Sequence, residues 1–193
     1  MQNRKNNKRT LKPGNMLNPM PVVMVSCGTT PDNYNIITVA WTGTICSDPP
    51  MCYVAIRPTR HSYNIIKEEK EFVINLVSSE LVTVTDWCGV KSGKKVNKFM
   101  QTNLTPVRGE KVKSPLIFES PVNLECVVKE IVPLGTHDMF IAEIVAVHAD
   151  QNLFDRKSDA LLLERANLVA YSHGQYYNLG KRLGKFGFSV QKK

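Results

Sequence analysis

The feature that most constrains this 193-residue chain is the shortness of the links between its β-branched apolar runs. Residues 21–27 (PVVMVSC), 36–46 (IITVAWTGTIC), 51–57 (MCYVAIR) and 72–77 (FVINLV) have strand length, and the turn-forming clusters GTTPDN, SDPP and RPT lie between them. Parallel neighbours need a crossover of a dozen or more residues, usually a helix, and the links after residues 28 and 46 are too short to hold one. The chain is therefore expected to pair antiparallel, as a meander or barrel. Residues 119–134 and 139–150 alternate in part across the turn Gly135-Thr136-His137-Asp138, which predicts a hairpin. Helical signals are short and sit between strands, over 60–70, 79–87 and 93–99. The fold class read from this pattern is all-β with small peripheral helices. There is no G-x-G-x-x-G and no P-loop, which removes the dinucleotide-fold and P-loop readings.

A chain of this length buries one substantial core and predicts one domain, 16–193, behind a basic N-terminal arm, 1–15. No apolar run approaches the roughly 18 residues of a membrane span, and no apolar segment follows the basic residues at the start, so a cytoplasmic protein is expected. Five cysteines without a C-x-x-C pair, and four histidines without paired spacing, predict free thiols and no metal site. The net charge of +8 raises the question of nucleic acid, but its distribution answers against it. Residues 1–12 and 181–193 hold ten basic groups and no acid, leaving 15 basic against 17 acidic residues between them. The body of the chain is not a basic platform, and nucleic acid is not expected as a partner.

Three clusters offer chemistry. In NIITVAWTGTIC, Asn35, Thr38, Trp41 and Thr42 put polar groups on a probable strand, but strand parity separates Asn35 and Trp41 from Thr38 and Thr42. A bulge near Gly43 or the use of backbone groups is needed to bring them to one ligand; otherwise Trp41 is core and the threonines are simply strand formers. In RPTRHSY, Arg57, Arg60 and Ser62 surround a helix start, where free N–H groups and the helix dipole favour an anion such as a phosphate. The plainer alternative is a solvent-facing arginine pair. In DWCGVKSGKKVNKF, Gly89, Ser92 and Gly93 permit close backbone approach, with Lys91, Lys94, Lys95 and Lys98 around a further helix start; alone, this could be an exposed basic loop. Two anion-friendly helix starts favour a phosphorylated cofactor without selecting which one.

The motifs N-x-x-T-x-A-W-T-G (35–43), S-D-P-P (47–50), R-P-T-R-H-S-Y (57–63), F-V-I-N-L (72–76), C-G-x-x-S-G-x-x-x-x-K-F (88–99) and G-T-H-D-M-F-I-A-E-I (135–144) resemble, in order and spacing, the flavin-reductase-like FMN-binding family, flavoredoxins among them. The resemblance implies a split β-barrel, FMN as cofactor, a homodimer, NADH or NADPH as electron donor and an unidentified electron acceptor. It implies that Asn35, Thr38, Trp41, Thr42 and Ile45 line the ring and ribityl chain. By the same implication Arg57, Arg60 and Ser62 hold the phosphate, and Cys88, Gly89, Ser92 and Lys98 close over the ribityl and phosphate end. His137 matches the family's histidine near the flavin, although from the residues alone it reads equally well as a polar turn histidine. Asn97 stands where the family often has Asp. The expected activity is an oxidoreductase passing electrons from a nicotinamide through FMN. The alternative is an FMN-binding electron carrier or storage module without nicotinamide turnover. The C-terminal run Tyr176, Tyr177, Leu179, Leu183, Phe186 and Phe188 is too apolar for a free tail and supports the dimer expectation.

Overall fold

The computed structural model describes residues 7–191, so Arg4, Lys5, Lys192 and Lys193 of the basic ends lie outside the described residues. Seven strands make the main sheet: β1 Val23–Cys27, β2 Asn35–Val39, β3 Thr42–Ser47, β4 Pro50–Ile56, β5 Glu71–Leu76, β6 Val122–Pro133 and β7 Asp138–Ala149. Their order is β2-β1-β5-β6-β7-β4-β3, and every pair is antiparallel. The two edge strands, β2 and β3, are consecutive in the chain and joined only by Ala40 and Trp41. A sheet whose opposite edges are two residues apart must curl back on itself, which gives the split barrel with its seam at Trp41. There Ala55 N donates to Trp41 O at 2.9 Å.

Continuous apolar runs arise because the strands near the seam are covered on both faces, the pattern that replaces simple alternation when neither face is wet. All five residues of β1 are buried. Val23, Val25 and Cys27 point inward with Ile37, Val54, Phe72 and Phe140. Met24 points outward, joining Ile36, Leu81, Cys88 and Phe99 beneath the helices. Those helices are short, as expected: α1 His61–Glu69, α2 Val82–Val90 and α3 Lys98–Thr102. The hairpin of β6 and β7 is present with its turn at Leu134–His137, where Leu134 N donates to His137 O at 3.0 Å.

Two boundaries differ from the sequence expectation. The single run 36–46 is two strands, broken by bends at Ala40 and Trp41. The helix expected over 93–99 is instead α3, because Asn97 accepts a hydrogen bond from Met100 N at 3.1 Å and caps the helix there. A C-terminal hairpin, β8 Val169–Ser172 and β9 Gln175–Asn178, also forms, and β8 pairs with Met20–Pro21.

Between α3 and β6 the chain crosses the outer face of the barrel as a strap, held by two carboxylates. Glu125 is fully buried and accepts from Glu110 N (2.9 Å), Lys111 N (2.7 Å) and Val112 N (2.7 Å), with His148 Nε2 at 2.5 Å. Glu71 Oε1 accepts from Lys113 N and Ser114 N at 2.6 and 2.7 Å. Among the described residues, no helix is long and apolar enough to cross a membrane.

Candidate functional site

Beside the seam, two adjoining cavities of about 390 and 440 Å³ form one groove, sharing Ile37, Arg57, Arg60 and Gly89. The first collects the candidate anion-binding groups. Strand β4 ends at Ile56, and the turn after it carries Arg57 and Arg60 into the start of α1. Arg60 occupies the N-cap with extended backbone and no side-chain cap, and Tyr63 N donates to its carbonyl oxygen at 3.1 Å. Ser62, 1% exposed, is fixed by Asn35 Nδ2, which donates to its hydroxyl oxygen at 2.7 Å.

Lys98 decides the electrostatics. Its side chain is only 3% exposed, and Nζ donates to Ile36 O and Cys88 O, both at 2.6 Å. These two bonds bolt the last turn of α2 to β2 and place a cation where the helix dipole favours one. They use two of the ammonium's three donors. Burial lowers the Lys98 pKa, with Arg60 acting in the same direction and the neighbouring Cys88 and Cys27 opposing it. Burial pushes the Cys88 thiol up to about 11 against the pull of Lys98, so at neutral pH it remains uncharged. The cavity is lined by Arg57, Arg60, Lys91 and Lys98, with no Asp or Glu among its lining residues.

The second cavity is the apolar and aromatic end. It is lined by Thr38, Val39, Ala40 and Trp41 at the seam, His137 from the β6–β7 turn, Asp86 of α2, and Tyr171 and Tyr176 of the C-terminal hairpin. Trp41 and His137 lie ring against ring, 4.3 Å between centroids, and His137 Nδ1 is 3.0 Å from Thr136 Oγ1. Burial, then Arg57 and Arg60, lower the His137 pKa, which keeps the imidazole neutral at pH 7. Tyr176 donates to Asp86 Oδ1 at 3.1 Å and meets Tyr171 edge to face.

The structure thus brings Asn35, Arg57, Arg60, Ser62, Cys88, Gly89, Ser92 and Lys98 around the first cavity, and Thr38, Trp41 and His137 around the second. The break at Ala40–Trp41 releases Trp41 from the parity of β2, and the register of β3 on β4 shifts between Thr44 and Cys46, just past Gly43. Thr42 and Ile45 line neither cavity. Thr42 Oγ1 donates to Tyr53 O at 2.6 Å within the sheet, and Ile45 is 48% exposed on β3. Sequence reasoning did not assign Ile37, Lys91, Asp86, Tyr171 or Tyr176 to the groove. The turn dipeptide His173-Gly174 between aromatic alternations was the available signal for the hairpin that carries both tyrosines.

The family model described as "Flavin reductase like domain" matches residues 16–180. The chain belongs to the flavin reductase like family. Within the fold, it is similar to flavoredoxin of Desulfovibrio vulgaris (Miyazaki F), at 30% identity and TM-score 0.86, over 96% of this chain and 100% of that one. An uncharacterised protein of Archaeoglobus fulgidus is 37% identical over 125 residues, 65% of this chain and 71% of the relative. The FMN reductase (NADH) RutF of Serratia proteamaculans is 24% identical over 126 residues, 61% of this chain and 70% of the relative.

Proposed function

We propose that this flavin reductase like protein binds FMN in the groove and passes electrons from NADH or NADPH to an acceptor. The observation that carries the reading is the buried Lys98 ammonium, which joins Arg57, Arg60 and an uncapped helix start in a cavity whose lining holds no acid. A buried cation without a carboxylate partner is costly unless something offsets its charge. The phosphate monoester of FMN supplies that charge, and Ser62 adds a hydroxyl to the same cavity.

The adjoining end fits a flat apolar ring. Val39, Ala40, Trp41, Tyr171 and Tyr176 all line it. FMN, when bound, supplies the hydride and electron chemistry, while the protein contributes orientation and electrostatics. In this reading Arg57 and Arg60, which line both cavities, tie the phosphate end to the ring end. Neutral His137, tilted against Trp41, shapes the ring end and acts neither as a proton store nor as a fixed charge.

The family match and the likeness to the FMN reductase (NADH) support the nicotinamide-dependent reading. A second reading, an FMN-binding carrier or storage module without nicotinamide turnover, is favoured by the likeness to flavoredoxin. Anaerobic stopped-flow reduction of the FMN-loaded protein separates the two. Bleaching of the flavin band by NADH or NADPH within seconds supports the reductase. Bleaching by dithionite but by neither nucleotide supports the carrier.

The reading includes a homodimer. Leu179, Leu183, Phe186, Phe188 and Val190 are all exposed in this chain, with Leu183 at 95%, and a second copy offers the surface to cover them. Stable homodimers bury well over about 1,200 Å² in total, an area such a run contributes to substantially. Light scattering of the FMN-loaded protein at micromolar concentration tests this, and a monomer overturns it.

A further inference from the structure

The flavin reading names FMN without saying what turns a longer flavin ester away, and a third cavity bears on that choice. A basic groove of about 290 Å³ lies behind the phosphate end, lined by Tyr34, Lys94, Lys95 and Asn97, with Asp32 its one acid. It shares two residues with the anion-binding cavity, His61 and Gly93.

Those two residues lie close together. A Cβ at Gly93 would collide with Asn35 Oδ1 and would lie 2.8 Å from His61 Cδ2, so no side chain larger than glycine's hydrogen fits there without a shift. The loop is braced in that position. Lys95 N donates to Ser92 O at 3.0 Å, Lys94 N to Ser92 Oγ at 3.3 Å, and Asn97 fixes the start of α3 immediately afterwards. On the other side His61 is the first residue of α1, so its backbone is set by the helix. Burial, then Lys94 and Lys98, lower its pKa, which leaves at pH 7 a neutral ring among cations.

His61 and Gly93 are where the cavity of Arg57, Arg60, Ser62 and Lys98 adjoins the groove of Lys94 and Lys95. We propose that His61 and Gly93 form a partition that selects flavins ending in one phosphate over dinucleotide flavins, and that the Lys94–Lys95 groove behind it is a latent subsite for the second phosphate. The proposal rests on the flavin reading above and deepens it. Specificity of this kind is a difference of two affinities, imposed by a clash against the wrong ligand. The groove already carries the charge a second phosphate needs, so opening the wall suffices to admit it.

The test is fluorescence titration with FMN and FAD of the wild type, His61→Ala, His61→Asn, and His61→Ala combined with Lys94→Ala and Lys95→Ala. Wild type favours FMN over FAD by about tenfold or more. His61→Ala raises the FAD-to-FMN affinity ratio about tenfold, the added lysine substitutions reverse that rise, and His61→Asn, which keeps most of the wall, stays near wild type. Gly93→Ala, which drives the loop against Asn35, weakens both flavins. Equal wild-type affinity for the two flavins, or a His61→Ala variant that loses both in proportion, overturns the partition while leaving FMN binding in place. A wild type that binds neither flavin overturns the flavin reading itself, and the partition with it.

Discussion

Two places in this molecule gather backbone and cationic donors around a point, and they are completed differently. Under the strap the chain supplies its own anion: Glu125 takes three backbone N–H groups and His148, and Glu71 takes two more. At the seam, Arg57, Arg60, Lys98 and the start of α1 converge, and no acid lies among the residues that line the cavity. The first arrangement is a structural latch, because its charges and hydrogen bonds close within the protein. On the proposed reading the second is a ligand site, because the lining of its cavity holds cations and no carboxylate to balance them. A rich set of anion donors therefore does not by itself indicate function; the absence of an internal carboxylate among them distinguishes the two.

Substituting the central group at each place tests this contrast, and the largest effect is expected at the seam. Lys98→Ala removes one charged contact to the ligand and leaves Ile36 O and Cys88 O without their donor. FMN affinity is expected to fall roughly 10- to 100-fold or more, read by flavin fluorescence titration with circular dichroism to confirm the fold. Retained affinity in a folded variant would erase the distinction between the two places.

The latch is expected to respond in the opposite way. Glu125→Ala should cost about 2 to 4 kcal/mol of stability in urea unfolding, because buried N–H donors lose their acceptor, while the FMN affinity of the folded protein stays within about twofold. Burial pushes the Glu125 pKa up, but the bonds from Glu110, His148, Val112 and Lys111 outweigh it and hold the carboxyl below its ordinary value. A group with a depressed folded pKa stabilises fully above its unfolded value, about 4.3, and loses that contribution as pH falls through the folded value. The stability gap between wild type and Glu125→Ala should therefore be widest near neutral pH and narrow below about pH 4, measured by urea unfolding across pH. A gap independent of pH would show that packing, not charge, holds the strap.

The smallest effect belongs to the basic ends. Deleting residues 1–12 removes five basic groups, yet the linings of the two cavities lie wholly within residues 22–176. Long-range attraction is screened beyond about 8 Å at physiological salt, so flavin content per protein should not change. Loss of FMN from a folded truncation would place the arm in the site.

What was legible in the sequence followed from local chemistry. Short links required antiparallel strands, and RPTRHSY placed two arginines at a helix start within seven residues. What was not legible depended on distant partners. The basic loop gave no sign that Lys98, of a residue type rarely buried, would cap α2 and reach β2 from 62 residues away. Glu125 looked like one polar position in a strand, since its donors are backbone amides contributed by a different segment. The bend at Ala40–Trp41 was hidden inside an apolar run that reads as one strand, and only the closing of the sheet requires it. That same bend brings Trp41 to the groove while leaving Thr42 in the sheet and Ile45 exposed.

The central claim, that the seam holds a phosphate, is tested most directly by titrating the protein with FMN and with riboflavin, which differ only in that group. Hydrogen bonds to charged groups contribute about 1.5 to 3 kcal/mol each, so losing two predicts FMN tighter than riboflavin by a factor on the order of 10² to 10⁴. Arg60→Ala should weaken FMN about tenfold or more and barely alter riboflavin. Equal affinity of the wild type for FMN and riboflavin would contradict the account.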